Sequence, residues 1–221
     1  MLKFFFHPIQ HFIERSRIGN NKFIIVSNNC FGSELYSATK RNYNTPFVGL
    51  ILYPDCYIRF LKNFNQNINK KLSFSKNSKY FKNQPLYPVG KIGNDIEIHF
   101  IHYSSENEAL SKWSRRANRL IKDFKKNYPM FIKLCDRDGC TETHLINFHK
   151  LKLGNKISLG VKNFNNKNHI TIPYLKDKKG QYVIDGYALF KKRYKFIDFA
   201  NWIMTKEIKK TFISKFLSFF S

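Results

Sequence analysis

Two apolar, β-branched runs constrain this chain more than anything else in it. Lys22-Phe23-Ile24-Ile25-Val26 stops abruptly in Ser27-Asn28-Asn29-Cys30, and Met130-Phe131-Ile132-Lys133-Leu134-Cys135 stops as abruptly in Asp136-Arg137-Asp138-Gly139. Runs of this length and composition predict buried strands. Helical spacing follows each: Ser33 precedes Glu34, Leu35 and Tyr36, and Thr141 is placed to cap a helix carrying Leu145, Phe148 and Leu151. Strand, tight polar loop and helix in that order are the usual entry to an α/β domain.

Similar units lie between and after these two. Phe47-Val48-Gly49-Leu50-Ile51-Leu52 has strand length, and Pro54-Asp55 opens a helix with Ile58, Leu61, Phe64 and Ile68 at helical steps. Residues 73–88 read as a surface excursion, and the glycines and proline of residues 87–93 as a tight loop. Residues 95–103 alternate as one strand, with Ile96, Ile98, Phe100 and His102 on one face and His99 on the other. Ser105 and Glu108 suit a capping box ahead of a helix whose apolar face holds Trp113, Ala117 and Leu120, with Arg115, Arg116 and Arg119 read as its solvated side. Shorter strands are expected at 156–161 and 169–173, and a last helix through Phe196, Phe199, Ala200 and Ile203. The expected fold is α/β, a single three-layer domain with a mostly parallel sheet flanked by helices, plus helical N- and C-terminal extensions. Its parts are a helical arm at 1–21, the α/β domain at 22–206 and a basic amphipathic tail at 207–221.

Charge narrows the partners. The chain carries 39 Lys and Arg against 15 Asp and Glu, a formal net charge of +24 over 221 residues, so its surface attracts anions. The basic residues are spread along the chain without a nucleic-acid motif, which favours a membrane surface or a phosphate-bearing substrate over specific nucleic-acid recognition. The 4 cysteines, Cys30, Cys56, Cys135 and Cys140, fit neither a disulfide framework nor a paired zinc motif, so a reducing compartment is expected. Polar residues from Gln10 to Arg15 interrupt any secretory apolar segment, and the expected location is cytoplasmic. Lysines and phenylalanines alternate over residues 208–220, a pattern able to lie on the inner, anionic face of the membrane.

Cys30, His102 and Asp136 each follow or end a predicted strand, and ligand crevices of open α/β sheets lie beyond the carboxyl ends of parallel strands. A cysteine at a helix N-terminus is expected to have a stabilised thiolate, an imidazole beside it can act as its base, and a carboxylate can orient that imidazole. Asp136-Arg137-Asp138 also has the Asp-x-Asp spacing by which two carboxylates can share a hard cation, so Asp136 and Asp138 form an alternative metal pair. His7, His11, His144, His149 and His169 show no ligand spacing.

These pieces resemble a family. Ser27-Asn28-Asn29-Cys30-Phe31-Gly32, Tyr43-Asn44-Thr45-Pro46, Tyr87-Pro88-Val89-Gly90, the run from Asp95 through His102-Tyr103, Trp113 with Arg115-Arg116, and Asp136 to Glu142 resemble the bacterial domain-of-unknown-function nineteen-nineteen family, often labelled exopolysaccharide biosynthesis protein. The resemblance covers most of residues 22–202 and implies a role in surface polysaccharide assembly, with a glycan or glycolipid precursor as partner. The first strand and loop are also similar to capsular-polysaccharide acetyltransferases of SGNH-hydrolase type. That second resemblance implies acyl transfer from an acyl-coenzyme A donor with Cys30 as nucleophile, and His102, or in second place His99, as base. Asn28 or Asn29 with backbone amides then serve as oxyanion donors, and Ser27, Gly32, Arg137 and Asp138 complete the binding loops. The alternatives are a nucleotide-sugar-dependent glycosyltransferase holding a divalent cation on Asp136 and Asp138, and a non-catalytic, membrane-peripheral assembly protein.

Overall fold

The computed structural model describes residues 2–209 and 211, with side chains from residue 8 onward. A four-stranded parallel sheet is built from β1 (Ile24–Ser27), β5 (Met130–Cys135), β6 (Asn155–Gly160) and β7 (His169–Thr171), in the order β1-β5-β6-β7. Ile24 lies opposite Met130 and Ser27 opposite Lys133, so β1 and β5 reach the same edge together. Alternation along these strands splits the core in two. Ile24, Val26, Ile132 and Leu134 face one cluster with α3 (Pro54–Lys62), α4 (Phe64–Asn69), α5 (Glu106–Lys125) and α6 (Glu142–Lys150). Ile25, Phe131, Cys135 and Ile157 face the other, with α1 (Leu2–Ile18), α2 (Phe31–Ala38), α7 (Gly186–Lys191) and α8 (Phe199–Thr205). Two apolar faces of one sheet, each covered by helices, give the three-layer α/β arrangement.

A second sheet departs from the expectation. β2 (Leu72–Ser75), β3 (Val89–Ile92) and β4 (Ile96–His99) form an antiparallel sheet of their own. The expected strand at 95–103 therefore ends at His99, the loop expected at 87–93 contains β3, and the surface excursion begins with β2. The run at 47–52 is not a strand. Phe47, Leu50 and Leu52 are buried, but Gly49 at φ +68° turns the backbone and Ile51 alone pairs, with His99. The helix expected through Ile68 breaks at Asn63 into α3 and α4. On α5, the Ser105 hydroxyl caps the Glu108 amide, while the Glu108 carboxylate takes its hydrogen bond from the Ser104 amide. Arg116 is not on a solvated face: it is buried, donates to the Tyr103 hydroxyl at 2.7 Å and lies over the Tyr43 ring.

α1 packs on α8 and α2. The amphipathic tail expected at 208–220 lies, at residue 210 and from 212 onward, outside the described residues. Among the described residues, no helix is long and apolar enough to cross a membrane.

Candidate functional site

The carboxyl ends of β1 and β5 open into a cleft of about 640 Å³. The loop after β1 supplies Asn29 and Cys30, α2 supplies Ser33 and Glu34, the loop after β5 supplies Arg137 and Asp138, and the N-cap of α7 supplies Asp185. His102 reaches the same cleft from beyond β4. The segment 47–52 makes this meeting happen. Its Leu52 amide donates to the Asn28 carbonyl at 2.9 Å, Ile51 pairs with His99, and the Gly49 carbonyl accepts from the His102 amide at 3.1 Å. A Cβ at Gly49 would stand 3.1 Å from the Tyr103 ring and 3.3 Å from the His102 Cβ, so this close approach requires glycine. Thus Cys30 and His102 share a cleft, although they do not come from two strands of one parallel sheet.

Cys30 is the N-cap of α2, and its carbonyl accepts from the Ser33 hydroxyl at 2.7 Å. Gly32 lets α2 begin against β1, because a Cβ there would lie 2.7 Å from the Ser27 Cβ. The expected low thiol pKa is reversed. Burial first, then the Glu34 and Asp185 carboxylates, push the Cys30 thiol up to about 11, with the Lys133 ammonium pulling the other way. Cys30 is therefore a neutral thiol near pH 7. The exposed His102 imidazole makes no side-chain hydrogen bond among the described residues. Burial raises the Glu34 carboxyl, against the opposing charges of Lys191, Arg193 and His102. Burial likewise raises Asp138, which sits at φ +61°.

Four residues singled out by sequence lie elsewhere. Asp136 does not orient His102: its carboxylate accepts from the Val161 amide at 2.7 Å and the Val183 amide at 2.9 Å, and it lines a separate cavity with His169 and Cys140. Asp136 and Asp138 consequently open onto different cavities and do not pair around one point. His99 is buried among Tyr53, Tyr80, Phe81 and Tyr87, with Nε2 3.5 Å from the Glu97 carboxylate. Burial holds its imidazole below the ordinary value, with Glu97 opposing. Ser27 and Asn28 are fully buried behind the loop. Arg137 lines the cleft but donates to the Val183 carbonyl at 2.5 Å.

Two further groups have no signal in the sequence. Lys133 is buried on β5, its ammonium 2.9 Å from Asn29 Oδ1 and 3.3 Å from Asn28 Oδ1. Asn29 Nδ2 meanwhile donates to Cys135 Sγ at 3.1 Å. Both asparagine side chains are thus engaged under the loop, away from an oxyanion role. Glu34 is legible only after α2 is known to start at Phe31, which sets it one turn from Cys30.

A family model described as a domain of unknown function (DUF1919) matches residues 1–204. A Haemophilus influenzae protein, described as an uncharacterized protein, is 36% identical to this chain over 149 residues. The match covers 66% of this chain and 66% of that protein, so the chain spans just under two thirds of its length.

Proposed function

The chain belongs to the DUF1919 family, and because that membership carries no chemistry with it, we propose a function from the cleft: transfer of an acyl group to a hydroxyl of a glycan or glycolipid precursor during bacterial surface (exo-, capsular or lipo-) polysaccharide assembly. The observation that carries this reading is the meeting of Cys30 with the unengaged imidazole of His102 in one cleft. A thiol held near a pKa of about 11 needs a base as it attacks, and an imidazole is suited to neutral pH. His102 takes the thiol proton while Cys30 sulfur attacks the carbonyl of an acyl-coenzyme A thioester. The carbon–sulfur bond to coenzyme A breaks, coenzyme A leaves as the thiol with that proton, and an acyl-Cys30 thioester remains. A glycan hydroxyl then attacks this thioester with His102 again as base, giving the glycan ester and the Cys30 thiol. Glu34 favours the imidazolium that forms in each half. The walls of Tyr43, Ile101 and Tyr187 suit the faces of sugar rings and an acyl chain.

The sugar-nucleotide alternative has less support, since Asp136 is taken up by two backbone amides. The net charge of +24 and four free thiols favour a cytoplasmic site at the inner, anionic face of the membrane. The test is acyl transfer from acyl-coenzyme A by the full chain, with intact-mass detection of acyl-Cys30. Cys30→Ala is expected to abolish the adduct and lower turnover by about a thousandfold or more. Full turnover in Cys30→Ala rejects the nucleophile.

A further inference from the structure

A second cleft, of about 490 Å³, lies beyond Tyr43, which lines both. Four cations line it, Lys22, Arg41, Arg119 and Lys122, against the single carboxylate of Asp123. A chain of net charge +24 has basic neighbourhoods everywhere, so charge alone marks nothing. Three observations distinguish this one. First, none of the four cations is in a salt bridge among the described residues. Second, the arginines are fixed in place: Arg41 donates to the Asn21 carbonyl at 2.5 Å and lies over the Phe23 ring, and Arg119 donates to the Tyr43 carbonyl at 3.1 Å. Asp123 is itself held by Asn44, whose side-chain Nδ2 donates to its carboxylate at 2.8 Å. Third, aromatic side chains wall the concavity, Tyr128 among them, as a flat heterocycle requires. Fixed guanidiniums, free ammoniums and aromatic faces together suit a nucleoside diphosphate.

The distance to Cys30 narrows the class. α2 begins at Phe31, next to Cys30, and ends at Ala38, three residues before Arg41, and its 8 residues span roughly 12 Å along the helix axis between the two clefts. In a sugar nucleotide the reacting carbon is bonded directly to the diphosphate, which is too short for that span. A thioester donor carries its reactive carbonyl at the end of a long arm. We infer that the basic cleft seats the nucleotide phosphates of such a donor, whose arm runs past Tyr43 to Cys30. This rests on the acyl-transfer reading for the role of Cys30, while the seat is measured by binding alone.

Calorimetric titration of the full chain with coenzyme A, uridine diphosphate and inorganic pyrophosphate tests it. Coenzyme A is expected to bind, with affinity at least about tenfold weaker in the double variant Arg119→Glu, Lys122→Glu. Lys178→Glu, Lys179→Glu, an equal charge change on exposed lysines elsewhere, is expected to leave it unchanged. No binding, equal losses in both double variants, or pyrophosphate or uridine diphosphate binding as tightly as coenzyme A overturns the seat. Acylation of Cys30 by a thioester lacking the nucleotide, with no coenzyme A binding, overturns the seat and leaves the Cys30 reading standing. Coenzyme A binding with the expected variant pattern and no acylation upholds the seat and removes the transfer reading.

Discussion

Lys133 sets the electrostatics of the loop that carries Cys30. It is 1% exposed, and its ammonium is held by two neutral side-chain oxygens, Oδ1 of Asn28 and Oδ1 of Asn29, with no carboxylate in salt-bridge range among the described residues. A charge kept in such surroundings acts strongly on its neighbours, because little water screens it. It lies 5.0 Å from the Phe31 ring, directly under the first turn of α2, and it favours the thiolate of Cys30 against Glu34 and Asp185. Lys133→Met therefore raises the Cys30 pKa further and leaves less thiolate at any given pH. Alkylation of Cys30 by iodoacetamide at pH 8.5, followed at the Cys30 peptide by mass spectrometry, is expected to slow about threefold to tenfold. Lys133→Arg, which keeps the charge, restores most of the rate. Unchanged labelling in Lys133→Met shows that the ammonium does not act on the thiol.

Among the elements, α6, β6 and β7 are joined by a polar relay that no spacing in the sequence announces. His169 Nε2 lies 3.1 Å from the Lys162 carbonyl, which can only accept, so the neutral ring carries its proton there. Its Nδ1 then accepts from the Ser158 hydroxyl at 2.7 Å, and the Ser158 oxygen accepts from His149 Nε2–H at 2.8 Å. Burial, then the charges of His169 and Lys156, push His149 down to about 4. Burial also lowers His169, with the Lys162 hydrogen bond and Asp136 opposing. Both rings thus take protons more readily in the unfolded chain, and the resulting stability is complete above about pH 6.5 and declines as pH falls toward 4. Because both groups are partly solvated, the loss between pH 7 and 5 is expected to be about 1 kcal/mol. Urea unfolding at the two pH values measures it, and His149→Gln should flatten the difference. A wild-type midpoint indifferent to pH over that range refutes the relay's contribution.

For the molecule as a whole, what sequence made legible was burial and local period, and what it hid was pairing. β1, β5, β6 and β7 were readable because their apolar runs are bounded by turn residues. The run at 47–52 has the same composition, yet it fills the core as a single crossing segment, since apolarity reports burial and not a ladder partner. Strand-end position picks out Cys30, His102 and Asp136, whereas Asp138 is marked only by its spacing from Asp136; the fold alone aims Asp136 at two loop amides and Asp138 at the cleft. Lys133 was hidden because alternation assigns a lysine to solvent. At the largest scale, the helical arm at 1–21 packs on the body: Ile18 is fully buried in the second core and Glu14 accepts from the buried Arg193 at 2.9 Å (Nε) and 2.5 Å (Nη2). Arg193 also donates to the Phe190 carbonyl at 2.9 Å, tying α1 to the end of α7. Breaking one side of such a pair strands a buried charge, so Arg193→Met is expected to cost about 3–5 kcal/mol in urea unfolding. The double variant Glu14→Leu, Arg193→Met removes both charges and should recover most of that loss. If α1 were only loosely attached, Glu14 would turn into water and the single variant would unfold at the wild-type midpoint, and that result would separate the arm from the domain.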